Sequence, residues 1–291
     1  DSRNMIVMDG SMGNELLARR SDLVTGLWSA QYLIDAPELV KEVHLDYINA
    51  GADLIITNTY STIPSYLSKQ KAEDKMSELI HLAGKLAREA VKDSKKKVTV
   101  AGSLPPLEES YRPDLVIDKE EAVPIYETLI KELTPYVDIF ICETMSSIKE
   151  MQHVIQALSN LDNEKPVWIA WSLKEDKKNQ LRSGESIKEA FNASASIKPE
   201  AYLFNCTDPF AITEGLKELK ELTQKPIGGY PNVFNVPDGW TLDNDVQVSV
   251  RDLSVEKFLE FAEEWQNLGA TIIGGCCGIG PKFIKAVADK K

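Results

Sequence analysis

The chain has 291 residues, of which 43% are hydrophobic, and its 45 acidic against 33 basic residues give a formal net charge of −12. That acidic balance argues against nucleic acid or an anionic membrane as a partner, because both bind basic surfaces. No stretch approaches the roughly 18–20 consecutive apolar residues that cross a bilayer, and no signal peptide is visible. The hydrophobic content is enough for one large core, and we expect a single domain over residues 1–291.

Short apolar runs alternate along the chain with longer amphipathic stretches. The runs are 5–9, 53–57, 97–103, 138–143, 166–172, 201–206, 226–231 and 271–277. Helical spacing is found at 36–51, 71–93, 119–135, 146–160, 185–196, 209–223 and 254–268, and after Pro281. The runs are continuously apolar, which is typical of strands buried on both faces. Eight strand–helix units predict an α/β protein of the (β/α)8 TIM-barrel class.

A doubly wound open sheet is the alternative architecture. It would usually carry a G-x-G-x-x-G loop after its first strand, whereas this chain offers only Gly10 and Gly13 in that loop. Long connections follow the third and seventh predicted strands, and loops of that length are usually functional or disordered. Their aromatic residues Tyr111, Phe234 and Trp240 favour ordered lids.

The four cysteines lie at or near the ends of apolar runs. This is unlike the dense disulfide framework of a small secreted domain, so a reducing cytoplasm is expected. Cys142 is interpreted as a small buried hydrophobe. Cys276 and Cys277 are adjacent and follow two glycines, and neighbouring thiols in such a turn are good ligands for a soft metal.

The carboxyl ends of all barrel strands meet at one rim, so the residues that follow the strands are expected close together. These residues include Asp9, Gly10, Thr59, Tyr60, Glu143, Asn205, Cys206, Asn232, Cys276 and Cys277. Three thiolates without a fourth strong protein ligand describe an open zinc site. The three histidines lie in helical stretches and are not expected to contribute.

Six segments carry a resemblance to a known family: DGSMGNEL, LWSA, PELVKEVHLDYINAGADLIITNTY, CETMSSIKE, FNCTDP and GGCCG. Together they resemble the homocysteine S-methyltransferase family over nearly the whole chain. The nearest likeness is to zinc-dependent members that use S-methylmethionine, betaine or a related donor. The resemblance implies a barrel enzyme that uses Zn²⁺ to methylate the thiol of homocysteine and gives methionine.

The resemblance also assigns roles to individual residues. Cys206, Cys276 and Cys277 match the zinc ligands of the family. Glu143 matches the acid that holds the amino group of homocysteine, and Asp9 and Gly10 match the motif that lines the amino-acid pocket. Trp28 matches an aromatic residue near the methyl donor.

Further rim residues complete the predicted site. Asn205 and Thr59 are expected to help to bind the substrate. Tyr60 and Asn232 are expected at the donor site with Trp28, where an aromatic ring would hold a cationic donor by a cation–π contact.

Several alternatives remain open. Glu143 could cap the following helix, Asp9 could order the first loop, Trp28 and Tyr60 could be packing residues, and Asn232 could serve a turn. The long loops SLPPLEESYRPD and PNVFNVPDGW depart from the family pattern, which leaves donor and acceptor open. The protein could act on another thiol or a selenol, could be a metal-free redox protein using Cys276 and Cys277, or could bind an amino acid without catalysis. The oligomeric state is not specified by the sequence.

Overall fold

The computed structural model describes residues 4–23, 27–235, 249–250 and 253–291, with the backbone alone at 234–235 and 249–250. Eight parallel strands form one sheet in the order β1-β10-β7-β6-β5-β4-β3-β2. They are β1 (Ile6–Val7), β2 (Leu54–Ile56), β3 (Thr99–Leu104), β4 (Ile139–Met145), β5 (Val167–Trp171), β6 (Ala201–Asn205), β7 (Ile227–Tyr230) and β10 (Ile272–Ile273).

The sheet closes between its first and last strands. Met8 forms a parallel bridge with Leu54. Main-chain hydrogen bonds extend this seam, from Asp53 N to Val7 O at 2.7 Å and from Asp9 N to Leu54 O at 3.0 Å. Because β1 thus pairs on both sides, the sheet is a barrel. The prediction of a (β/α)8 barrel is confirmed, and the open doubly wound sheet is not formed.

Helices surround the barrel and connect its strands. They are α1 (Gly13–Arg19), α2 (Ala30–Asp35), α3 (Pro37–Ala50), α4 (Pro64–Leu67), α5 (Met76–Ser94), α6 (Lys119–Leu133), α7 (Ile148–Asn160), α8 (Ile187–Ala193), α9 (Pro209–Leu222), α10 (Val255–Asn267) and α11 (Pro281–Ala288). Local sequence sets several ends: α3 begins at a proline and ends at Gly51, whose φ of 111° suits glycine. Ser147 caps α7 by accepting a hydrogen bond from Glu150 N.

Two apolar layers hold the fold together. Inside the barrel, side chains from all around the sheet form one cluster, which includes Met8, Leu54, Ile141, Trp168 and Leu203. A larger cluster fills the space between the sheet and the helices. Strand side chains point alternately to these two layers, which is why the strands are continuously apolar in sequence. Among the described helices, none is long and apolar enough to cross a membrane.

The structure adds elements that the sequence periodicity did not predict. Helices α1, α2 and α4 are only seven, six and four residues long. The long connection after β7 contains a two-stranded antiparallel pair, β8 (Phe234–Asn235) with β9 (Ser249–Val250). Trp240, expected in a lid, lies outside the described residues. Strand β10 has only two residues although the apolar run extends to Cys277, and the cysteine pair lies in the turn after the glycines, as predicted.

Candidate active site at the carboxyl rim of the barrel

A cavity of about 320 Å³ opens at the rim where the strands end. Most of the predicted site residues line it: Asp9, Gly10, Trp28, Tyr60, Glu143, Cys206, Cys276 and Cys277. Thr59, Asn205 and Asn232 are buried next to this wall and are not among its lining residues. The barrel thus brings together side chains that are up to 268 positions apart in the sequence, from Asp9 to Cys277.

Two buried carboxyl groups form the acidic part of the cavity. Asp9 Oδ2 accepts a hydrogen bond from Ile56 N at 2.9 Å, and Glu143 Oε1 accepts one from Tyr230 OH at 3.0 Å. Ser103 Oγ donates to the other oxygen of Glu143. Glu143 therefore faces the cavity instead of capping α7, whose cap is Ser147.

Burial shapes the acidity of this pair. Desolvation raises the pKa of Asp9 well above its ordinary value, and the neighbouring Glu143 charge raises it further. Desolvation also raises the pKa of Glu143, against the opposing effect of its bonds to Ser103 and Tyr230. Two buried carboxyls favour a ligand that brings positive charge, because a cation between them stabilises their ionised forms.

The thiol part of the cavity comes from the turns after β6 and β10. Cys206 adopts a left-handed backbone with φ 49°. Its sulfur is joined to that of Cys276 in a disulfide, with 5.5 Å between the Cα atoms. Cys277 is a free, partly buried thiol, and burial raises its pKa to about 11. The bond thus joins Cys206 to Cys276, and not the adjacent Cys276 to Cys277.

The cysteine sulfurs of these turns are suitable ligands for a soft metal once the disulfide is reduced. With two sulfurs joined to each other, the described residues contain no group of three side chains arranged to hold a metal ion. Reduction of the bond gives three thiols that line one cavity, and three thiolates with an open fourth position are a ligand set that zinc accepts.

Glycines allow the first and last turns of the barrel to meet tightly at the site. A Cβ on Gly10 would lie 2.1 Å from Ile279 O, and a Cβ on Gly275 would lie 2.1 Å from the Ile279 side chain. Ser11 N donates to Ile279 O at 2.8 Å, which joins the same two turns. Larger residues at these glycines would push the cysteine turn away from the cavity.

The three predicted residues outside the cavity wall hold its turns. Asn205 Oδ1 accepts from Thr144 N, and its Nδ2 donates to Thr144 Oγ1, both at 2.9 Å. Thr59 Oγ1 donates to Ser103 O at 3.0 Å. Asn232 Oδ1 accepts from Cys277 N at 3.2 Å. Their contacts support the loops, and direct contact with a substrate or donor stays a prediction.

Aromatic side chains line the remaining wall. Trp28 is 37% exposed at the mouth, and its Nε1 would lie 3.1 Å from a Cβ placed on Gly13. Tyr60 OH forms a hydrogen bond of 2.5 Å with Ser110 Oγ. Tyr66, Tyr111 and Tyr230 also line the cavity. This wall offers several ring faces to a cation, in keeping with the expected donor site.

Some site residues were not assigned a role from the sequence. Ser103, Ser110 and Tyr230 contact the predicted residues, and Arg182 donates to Cys206 O at 3.2 Å. Tyr230 was visible as a rim residue, because it ends a predicted strand. Arg182 gave no such signal, because it lies in a polar loop between β5 and α8.

The histidines take no part in the cavity wall. His44, His81 and His153 lie on α3, α5 and α7, as expected. His44 is fully buried, and neither ring nitrogen finds a hydrogen-bond partner among the described residues.

Known proteins resemble this chain in both sequence and fold. Residues 6–290 match the family model described as homocysteine S-methyltransferase. Homocysteine S-methyltransferase 1 of Zea mays is 32% identical over 97% of this chain and 93% of its own. Homocysteine S-methyltransferase YbgG of Bacillus subtilis is 30% identical over 99% of this chain and 95% of its own. A selenocysteine methyltransferase of Astragalus bisulcatus is also 30% identical, over 97% of this chain and 90% of its own.

Solved structures agree with these sequence matches. The homocysteine methyltransferase MmuM of Escherichia coli, in a metallated form, superposes with a TM-score of 0.82 at 27% identity over 99% of this chain and 96% of that one. Its oxidized form gives a TM-score of 0.83 at the same identity and coverage. The match therefore extends over the barrel and both cysteine turns, and the chain belongs to the homocysteine S-methyltransferase family.

Proposed function

We propose that this protein transfers a methyl group from a cationic, S-methylmethionine-like donor to the thiol of homocysteine, giving methionine, with Zn²⁺ held by Cys206, Cys276 and Cys277. The observation that carries the proposal is one cavity lined by both a buried carboxyl pair and three cysteines. Homocysteine is a small amino acid with an ammonium group and a thiol, so its two ends match these two regions.

The carboxyl pair would bind the amino group of homocysteine. Glu143 is fixed by Ser103 and Tyr230, and Asp9 by Ile56 N. An ammonium group that enters this region donates a charge-assisted hydrogen bond to carboxylates that are already in place, so little ordering is required on binding. The raised pKa of each carboxyl falls when this cation binds, because the positive charge favours the ionised form.

The thiol region would hold and activate the reacting sulfur. A free alkyl thiol has a pKa of about 8.5, so little thiolate exists near pH 7. Zinc bound to the three cysteines would supply the charge that keeps the incoming sulfur deprotonated. The cysteines are placed on two turns that also carry the cavity wall, which fixes the direction from which the sulfur meets the donor.

The aromatic wall would receive the methyl donor. Trp28 and Tyr60 line the same cavity as the cysteines. A sulfonium or quaternary ammonium over such a ring gains about 0.5–2 kcal/mol from the cation–π contact. The departure of the donor as a neutral molecule removes this attraction and favours its release.

The proposal requires a reducing environment, since zinc needs thiolates and not the Cys206–Cys276 disulfide. The cytoplasm meets this requirement, and small molecules are the expected partners. Residues 1–291 would work as one domain around this cavity.

The test uses reduced, zinc-loaded protein with homocysteine and a panel of donors that includes S-methylmethionine and betaine. Methionine formation with one donor, together with about one zinc per chain, is the expected result. If metal-loaded protein transfers no methyl group to homocysteine from any donor, the acceptor is wrong. Zinc-free reduced protein that is fully active would contradict the metal assignment.

A second acceptor is a selenol. The similarity to a selenocysteine methyltransferase favours including selenocysteine in the assay. A selenol ionises more readily than a thiol, so it would depend less on zinc for activation. A ratio of kcat/KM that favours selenocysteine over homocysteine would make the selenol the preferred substrate.

A further inference from the structure

A buried arginine lies directly behind the cysteine turns, outside the residues that line the cavity. The side chain of Arg182 is 6% exposed, and it faces Glu175 at 3.6 Å. Its Nε donates to Ser172 Oγ at 2.9 Å, and its Nη2 donates to Cys206 O at 3.2 Å. The guanidinium also lies 4.8 Å from the ring centroid of Tyr111. Four different groups therefore fix its position.

The turn that Arg182 contacts has an unfavourable backbone. Cys206 has a φ of 49°, and a left-handed conformation is disfavoured for any residue with a Cβ. The Cys206 carbonyl oxygen accepts one hydrogen bond from Arg182 Nη2 and another from Ser172 Oγ, the latter at 3.3 Å. Cys206 N donates to Tyr230 O at 3.0 Å. Such a conformation persists when the surroundings over-determine it, and Arg182 with Ser172 supplies that constraint on the carbonyl.

The same arginine is connected to the second cysteine turn. Tyr111, on which it stacks, accepts a hydrogen bond from Asn232 Nδ2 at 3.4 Å. Asn232 Oδ1 in turn accepts from Cys277 N at 3.2 Å. A continuous series of contacts thus runs from the main chain at Cys206 through Arg182, Tyr111 and Asn232 to the main chain at Cys277. None of these contacts uses a cysteine sulfur.

We propose that Arg182 is a positioning residue that sets the separation of the two cysteine turns and thereby preorganises their sulfurs. The proposal rests on the proposed function in one respect, which is that the sulfurs bind zinc. The series Arg182–Tyr111–Asn232, called the clamp below, holds both turns whether or not a metal is bound. Removal of outer contacts of this kind lowers metal affinity about 10–100-fold.

The main test compares Arg182→Met with Arg182→Lys. Methionine fills the space without donating a hydrogen bond, whereas lysine keeps the charge and one donor. Zinc affinity of the reduced proteins is measured by competition with a chromophoric chelator. We expect Arg182→Met to bind zinc about 10–100-fold more weakly than the wild type, and Arg182→Lys to recover part of that loss.

Arg88→Met is the matched control. Arg88 also donates to a main-chain carbonyl, Tyr136 O, at 2.9 and 2.6 Å, and also pairs with a carboxylate, Asp138, at 3.1 Å. Arg88 lies on α5, and its partners directly precede β4, at the end of that strand away from the rim. Loss of this arginine should lower stability without changing zinc affinity. Equal zinc affinities for wild type and Arg182→Met would overturn the proposal, and equal losses for both arginine variants would mark a general effect of destabilisation.

A double-mutant cycle tests the connection between the turns. If Arg182 and Asn232 act through one clamp, Arg182→Met combined with Asn232→Ala weakens zinc binding by less than the product of the two single effects. Independent effects that multiply would contradict a continuous clamp.

A readout without metal separates this proposal from the proposed function. In glutathione buffers, the two thiols of Cys206 and Cys276 pass two electrons and two protons to glutathione disulfide, which becomes two glutathione thiols. Clamped turns favour the protein disulfide, so Arg182→Met should lower this equilibrium constant about 10-fold or more. If the wild type binds no zinc but this shift is observed, the metal assignment fails and the clamp stands. If the shift is absent as well, the clamp fails.

Discussion

Left-handed backbone at the ends of helices contrasts with left-handed backbone at the rim of the barrel. At helix ends, Lys95 closes α5 with φ 59° and Lys198 ends a short 3₁₀ helix with φ 48°. At the rim, Thr144 has φ 57° and Cys206 has φ 49°. The lysines are solvent-facing, whereas both rim residues are buried and contact each other through Thr144 Oγ1 and Cys206 Sγ at 3.8 Å.

The difference teaches what backbone strain is used for. A lysine at a helix end adopts this conformation to end the helix, and its side chain contributes nothing that glycine would lack. At the rim the side chain itself is required at that point, so the strained conformation is kept and supported by hydrogen bonds. Substitutions at the two places should therefore have opposite effects.

The largest expected effect is at Cys206. Cys206→Ser and Cys206→Gly should both abolish zinc binding and methyl transfer, although glycine relieves the left-handed backbone. Loss of a direct ligand should exceed the roughly 10–100-fold cost of losing an outer contact. Metal content and activity of the reduced proteins check this, with Cys142→Ala as a control at a buried thiol away from the cavity wall. A zinc-binding Cys206→Gly protein would contradict the ligand assignment.

The next effect is at Glu143, which directly precedes the left-handed Thr144. Glu143→Gln keeps the size of the side chain but removes its charge, so an ammonium group loses a charge-assisted hydrogen bond. We expect homocysteine binding to weaken about 100-fold, which corresponds to about 3 kcal/mol. Calorimetric titration measures it. Tyr230→Phe removes one neutral donor to Glu143 and should weaken homocysteine binding by about 1 kcal/mol. If the two variants weaken binding equally, the charge of Glu143 has no special role.

The next effect concerns His44, a buried polar residue that takes no part in the rim, and the stability of the protein at acidic pH. Burial lowers the pKa of His44 to about 4, against an ordinary value of 6.5. The unfolded chain therefore takes up a proton first as the pH falls below 6.5, and stability is lost between pH 6.5 and 4. The loss from His44 should reach about 2 kcal/mol at pH 5. Between pH 7 and pH 5 the free energy of unfolding, measured in urea, should change by about 2 kcal/mol less favourably in the wild type than in His44→Leu; the difference cancels groups common to both proteins, such as Glu150, whose pKa burial raises to about 7.

A smaller effect of defined sign is expected at Thr144. Thr144→Gly relieves the left-handed backbone, but it removes the Oγ1 acceptor of Asn205 Nδ2. Asn205 Nδ2 then keeps only its contact with Cys206 Sγ at 3.5 Å, and a buried N–H that loses its partner costs about 1–3 kcal/mol, which outweighs the relief of about 1 kcal/mol. Chemical unfolding should show a net loss of about 1 kcal/mol. A gain in stability would mean that the rim turn is no different from a helix end.

The smallest effect is at Lys95. Lys95→Gly should stabilise the protein by about 0.5 kcal/mol, because relief of the left-handed strain is partly offset by the greater freedom of glycine in the unfolded chain. Zinc affinity should not change. The midpoint of urea unfolding checks the sign, and a loss of stability at Lys95 would remove the contrast with Thr144.

The barrel could be predicted from the sequence because each strand lies within an apolar run long enough to be recognised, as in 138–143 and 201–206. The rim residues followed from that, since parallel strands in a barrel share one edge. Short helices such as α4, with four residues, have no periodicity to detect. The lengths of strands also could not be predicted, because the cysteine pair extends an apolar run while its backbone turns away.

The contacts behind the site were the part that the sequence did not reveal. Cys206 and Cys276 are 70 residues apart, and the pairing of cysteines is not specified by their spacing. A role of Asn232 at the donor site stays a prediction, and its side-chain contacts with Tyr111 and with the main chain at Cys277 had no signal in the sequence. Arg182 lies in a polar loop where most arginines face solvent, and its burial depends on the approach of two other loops, which carry Tyr111 and Cys206.

The close meeting of the first and last turns has a consequence for synthesis of the protein. Ser11 N donates a hydrogen bond to Ile279 O, so the first turn of the site is completed only after a residue 268 positions later has been synthesised. Cys206 leaves the ribosome 70 residues before Cys276, a delay of roughly 4–14 s at common rates of translation. A nascent chain therefore holds Cys206 without its later partners, and the complete site cannot assemble before Cys276, Cys277 and Ile279 have been synthesised.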